Sequence, residues 1–317
     1  MLEINRSMVD KTTEILELVA NDLSVKILPE TGNLIYSLMK AGTEYLWFPY
    51  DHPAEYVKQP RLAGIPLLAP WANRLDEDGF DFNGTHYSLN TSIDFSRDAN
   101  GLPIHGFLAF TDKWHRHSEI ITDSYVEVTS HLKFWKYTEF MTHFPFPHKL
   151  IMCYRLFTDH LEIELEIKNL GEQSMPVMIG FHPYFQLPDS KRANWKVTIP
   201  ATKQLVLNDL KLPTGMMIAN PFQTSKILGT TTLDHVYTQL SSSPFLASSK
   251  RHNISVSFDS GYSAAVVYAP LTRDIICFEP MSAPTNSLAR YHRDKSVPLP
   301  VVQPNSSWKG KFSIYIS

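Results

Sequence analysis

Apolar and charged residues alternate through Leu161-Glu162-Ile163-Glu164-Leu165-Glu166-Ile167-Lys168. A period of two places every aliphatic side chain on one face of a strand and every charge on the other. Asn169-Leu170-Gly171 then turns the chain. The same period recurs in Tyr125 to Val128, Trp195 to Ile199, Ile254 to Phe258 and Phe312 to Ile316, so strands are expected from end to end. Asn83-Gly84, flanked by Phe80, Phe82 and Tyr87, predicts a two-residue hairpin turn, because both central positions of such a turn need positive φ. Helical evidence is thin: 22 prolines punctuate the chain and no long window keeps a 3.6-residue repeat. Thr12 to Val19 has apolar residues that could line a helix. Asn21-Asp22 followed by the alternating Leu23 to Ile27 reads instead as two strands and a turn. No linker, composition shift or fixed-period repeat divides the chain. The pattern predicts a single all-β, sandwich-like domain over 1–317.

Composition narrows the partners. With 317 residues, 43% of them hydrophobic, the chain can bury a large core. Its 29 basic and 32 acidic residues, formal charge −3, are well mixed and form no basic stripe, which argues against nucleic acid. The two cysteines, Cys153 and Cys277, each lie in an apolar run and read as buried thiols. The N-terminus has no apolar signal segment, and no uncharged run approaches the roughly 20 residues of a membrane span. The expectation is a cytoplasmic protein without a membrane partner, as monomer or homodimer.

Three separated strings carry acid/base-competent side chains among structure-breaking neighbours: Leu102-Pro103-Ile104-His105-Gly106-Phe107, Gly180-Phe181-His182-Pro183-Tyr184-Phe185 and Cys277-Phe278-Glu279-Pro280. His182 sits on stiff, extended chain before a proline. His105 precedes a glycine that lets a ligand approach the backbone. Glu279 ends an apolar strand, where desolvation raises a carboxyl pKa toward that of a general base. Asn73 and Arg74 close a proline-rich rim, and Arg74 offers forked donors to vicinal hydroxyls. Asp234 can accept hydrogen bonds from hydroxyls. Trp71, Phe107, Phe134 and Trp135 are candidates to stack on a sugar ring. No metal site is expected, since His115-x-His117 is the sole close histidine pair and lacks a carboxylate at ligand spacing.

Taken in order, these strings resemble the aldose 1-epimerase (galactose mutarotase) family: Asn73-Arg74, the His105-Gly106 turn, the segment around His182, Asp234, and Glu279-Pro280, over most of the chain. The resemblance implies a β-supersandwich of galactose mutarotase-like fold that takes a small-molecule monosaccharide as partner and interconverts the α and β anomers of a hexose without a cofactor. It implies Glu279 as the base at the anomeric hydroxyl, His182 as the acid at the ring oxygen, His105 as a second contact near that oxygen, and Arg74, Asp234 and Asn73 as substrate-binding residues. Hexose-6-phosphate mutarotases share this fold and add basic residues, for which Arg97, Arg155 or Lys133 are candidates here. A non-catalytic carbohydrate-binding module stays open. So does a glycoside hydrolase using Glu279 and Asp234 as paired carboxylates.

Overall fold

The computed structural model describes residues 1–11, 13–89 and 94–317. Among them, most strands fall into three antiparallel sheets. Each alternating segment named above is a strand: Tyr125–Lys133, His160–Asn169, Lys196–Thr198, Asn253–Phe258 and Ser307–Ile316. Leu161, Ile163, Leu165 and Ile167 are buried, as a period of two requires. On the opposite face charges pair across strands: Arg155 contacts Glu127 at 2.6 Å and also Glu162, and Lys311 contacts Glu162 at 2.9 Å. Arg155 belongs to this outer ladder.

The early chain forms a meander of five strands, beginning Leu2–Met8, Glu14–Ala20 and Leu23–Leu28. Two strands and a turn, with Asn21 at φ 58°, thus replace the helical alternative. Thr12, the first residue of that stretch, lies outside the described residues. The hairpin Gly79–Phe82 and Thr85–Ser88 turns at Asn83 and Gly84, whose φ values are 51° and 79°. Both lie in the left-handed region that this turn demands. Short helices at Pro53–Lys58, Thr138–His143 and Ser287–Arg290 lack the length to show in a 3.6-residue repeat.

A nine-stranded sheet includes Asn253–Phe258, Ser307–Ile316 and His160–Asn169 side by side. An eight-stranded sheet has Leu233–Leu240, Ala264–Ala269, Ile276–Met281 and Gly180–Phe181 in its middle. Aromatic rings join the two: Phe181 lies 5.0 Å from Phe312, and Phe278 lies 5.5 Å from Phe245, centroid to centroid. Ring pairs at these separations are favoured geometries. One buried cluster runs from Leu16 to Ile316 and takes in side chains of all three sheets. Cys153 and Cys277 are free thiols.

Candidate active site

Glu279 lies on Ile276–Met281, a strand whose six residues are all buried. Its position relative to His182 follows from register. Gly180 pairs with Met281, and Tyr184 pairs with Cys277. Counting two residues inward from either pair brings His182 opposite Glu279. Pro183 lacks an amide hydrogen and interrupts the ladder there, while the His182 N–H donates to the Pro66 carbonyl at 3.0 Å. The imidazole Nε2 stands 3.4 Å from Glu279 Oε1. Both are buried, at 6% and 1% exposure. Among the described residues Glu279 Oε2 has no hydrogen-bond partner, so the pair keeps an acceptor in reserve.

Two cross-strand rows share this face of the sheet. Val236, Val266 and Glu279 are consecutive partners, as are Asp234, Tyr268, Cys277 and Tyr184. Residues two apart on a strand point the same way, which carries Asp234 to the cavity that Glu279 faces. The Tyr184 ring stacks on His182 with centroids 4.3 Å apart and planes within 5°.

The other wall comes from the rim and the His105 turn. His105 N–H donates to the Asn73 carbonyl at 3.0 Å, and the Asn73 amide N–H reaches His105 Nδ1 at 3.3 Å. His105 itself adopts φ 67° and Gly106 φ 63°. A Cβ on Gly106 would stand 2.1 Å from the Ala69 carbonyl oxygen, so only glycine permits this approach. The His105 ring meets His182 edge-on, 5.6 Å away. Arg74 Nε donates to Asp98 at 2.6 Å, and Asn73 Oδ1 accepts from Thr285 Oγ1 at 2.6 Å and from Arg74 N at 2.9 Å. Among the described residues the Asn73 side-chain Nδ2 donates to no partner, so its N–H groups are left for a ligand.

Burial sets the protonation of the pair. Desolvation pushes His182 down to about 3. It pushes Glu279 well above its ordinary value, with Asp234 adding to the rise and Arg74 opposing it. His105 is held well below the usual imidazole value by burial, then by His182 and Arg74. A low-dielectric site disfavours every charged form, so the pair prefers two neutral partners sharing one proton.

Glu279, His182, His105, Arg74, Asp234 and Asn73 all line one cavity of about 190 Å³. That is smaller than the roughly 300–1,000 Å³ of pockets for drug-sized ligands, and it suits a single small ring. A larger hollow of about 450 Å³ beside Glu14, Glu30, Asp112 and His115 has no buried acid/base pair. Trp71, Phe107, Phe134 and Trp135 are absent from the cavity wall. Trp71 and Phe134 are fully buried, Phe107 packs against Trp71, Phe134 and Phe140, and Trp135 sits on a short 3-10 turn. The aromatic residues on the wall are Tyr184 and Tyr268 instead. Arg97 and Arg155 are engaged elsewhere, Arg97 with Asp78 at 2.7 Å, and neither they nor Lys133 line the cavity. Among the described residues no group of three or more His, Cys, Asp and Glu side chains is arranged to hold a metal.

No motif in the sequence marks Asp98, Tyr268 or Arg273. Tyr184, two residues from His182, shares its side of an extended segment and was open to that argument. Tyr268 and Arg273 carry no local signal, because only strand pairing brings them to Glu279.

A family model described as "Aldose 1-epimerase" matches residues 14–315. The uncharacterized protein YphB of Escherichia coli is 28% identical over 127 residues, which are 39% of this chain and 38% of YphB. The matched region thus spans well under half of that relative. A galactose mutarotase-like protein from Clostridium acetobutylicum superposes with a TM-score of 0.88 at 22% identity, covering 100% of this chain and 98% of the other. Galactose 1-epimerase from Lactobacillus acidophilus superposes with a TM-score of 0.80 at 18% identity, covering 100% and 99%. The fold is galactose mutarotase-like.

Proposed function

The chain belongs to the aldose 1-epimerase family, and we propose that it interconverts the α and β anomers of an aldose by acid/base ring opening. Glu279 takes the proton from the anomeric hydroxyl, and the electron pair freed there forms the carbonyl at C1. The bond from C1 to the ring oxygen breaks, its electrons go to that oxygen, and His182 delivers a proton to it. Rotation about the C1–C2 bond presents the other carbonyl face. Closure then reverses both transfers. Over the cycle the pair neither gains nor loses a proton, which explains why two groups and no further reagent suffice.

The buried contact between His182 and Glu279 on a ring-sized cavity carries this reading. With the ring closed the reactive tautomer is carboxylate and imidazolium; with the ring open it is carboxylic acid and neutral imidazole. Burial favours the second, so the ion-pair form is the minor tautomer of the pair, and once it forms desolvation drives its proton transfers to and from the sugar. Arg74, fixed by Asp98, along with Asp234 and the Asn73 amide, binds hydroxyls, and His105 contacts the ring-oxygen side.

Polarimetry and NMR exchange on a panel of fresh aldoses test the reading. Glu279→Gln and His182→Asn should each lower kcat by about 100-fold or more, the usual scale of a general acid or base, while the fold is kept. If the unaltered protein leaves the spontaneous rate of every sugar unchanged yet binds one in calorimetry, a non-catalytic binding role replaces this reading.

A further inference from the structure

We propose that Arg273 makes this cavity selective for sugars carrying an anionic group, phosphate or carboxylate, on a carbon away from the anomeric centre. The proposal rests on the sugar-binding reading of the pocket and adds the substituent that the sugar bears.

Arg273 lies in the turn between Ala264–Ala269 and Ile276–Met281 and lines the same cavity as His182 and Glu279. Its side chain is exposed at the mouth. The guanidinium carbon sits 4.8 Å from the centroid of the Trp47 ring, a cation-π geometry that leaves the N–H edges of the fork available. Among the described residues Arg273 forms no ion pair. The adjacent carboxylate, Asp274, is already taken by Lys191 at 3.0 Å and by the Arg192 N–H at 2.9 Å. The other guanidinium on the cavity wall, Arg74, is neutralised by Asp98 at 2.6 Å. Arg273 is therefore the cation on the wall whose charge is still unmatched.

Its place along the wall decides which part of a sugar it meets. Trp47 lies 5.6 Å from Tyr184, whose ring stacks 4.3 Å from His182. Arg273 is exposed while His182 and Glu279 are buried on the same cavity, so the guanidinium stands at the mouth and the acid/base pair at the floor. A group there faces a substituent projecting beyond the ring. A neutral hydroxyl would use one donor of the fork. An anion would use the charge and two donors together, and such bonds are roughly twice as strong as neutral ones.

The test compares glucose, glucose 6-phosphate and glucuronate as substrates of the unaltered protein, Arg273→Gln and Arg273→Lys, by NMR exchange spectroscopy with calorimetry in parallel. The expected result is a kcat/KM at least about tenfold higher for one of the two anions than for glucose. Arg273→Gln should lower that value at least about tenfold more than it lowers the value for glucose, with partial recovery in Arg273→Lys. Which anion is favoured separates phosphate from carboxylate recognition. Equal treatment of glucose and both anions, or an equal loss for all three in Arg273→Gln, overturns the proposal. Should no sugar be accelerated, calorimetry still decides: anion preference lost in Arg273→Gln upholds the Arg273 assignment while the acid/base reading falls, and absence of any preference rejects the assignment.

Discussion

Burial acts in opposite directions on the two members of the proposed proton-transferring pair, lowering His182 to about 3 and raising Glu279. Between those two values the pair holds one proton, which is the stock that ring opening needs. Acid adds a second proton by charging His182; alkali removes the last one from Glu279. The profile of kcat/KM should therefore stay level through the ordinary imidazole range near 6.5 and fall on the alkaline side as Glu279 ionises. Its acid limb should lie near 3, where His182 titrates. A half-fall centred at about 6.5 would show that His182 titrates as a solvated imidazole and would defeat this account. The identities of these residues were legible in the sequence because each sits beside proline or glycine. Their partners were not: the Asp98 carboxylate that holds Arg74 is 24 positions away and joins it only through chain folding.

At the scale of elements, the geometry of the proposed catalytic pair depends on how closely Gly180–Phe181 approaches Ile276–Met281. A Cβ on Gly180 would stand 2.3 Å from Met281 Sδ and 2.7 Å from the Pro280 carbonyl oxygen. The sulfur can yield, but the carbonyl belongs to the strand that carries Glu279. Gly180→Ala should thus force the strands apart, costing about 1–3 kcal/mol in stability. It should also lower kcat by about tenfold or more through a misplaced pair, although residue 180 is not on the cavity wall. Denaturant melts and turnover assays of the variant read both effects; wild-type stability with turnover within about twofold would refute the positioning argument. Alternation was enough to find the long strands, since one buried face repeats every second residue. The two-residue strands around His182 were beyond that signal, because a period cannot be read from so short a run.

At the scale of the whole molecule, a buried cluster runs from Leu16 to Ile316, and the nine-stranded sheet pairs Ser307–Ile316 with His160–Asn169 and Asn253–Phe258. Contacts of such separation tie distant parts of the chain into one core. We propose that the chain unfolds as one unit. Calorimetry should record a single transition, and limited proteolysis should yield no stable half; two resolved transitions would count against it. The amino-acid sequence alone determined the β character, the turn at Asn83-Gly84 and which side chains have the chemistry for proton transfer. Each of these follows from near neighbours, through periodicity, φ preference and local desolvation. Tertiary structure alone decided that Tyr184 and Tyr268, rather than Trp71 or Phe134, wall the cavity, and that Arg273, rather than Arg155, stands at its mouth with no ion pair among the described residues. Those outcomes depend on which strands pair and in what register, and long-range pairing is a property of the folded chain that no local pattern encodes.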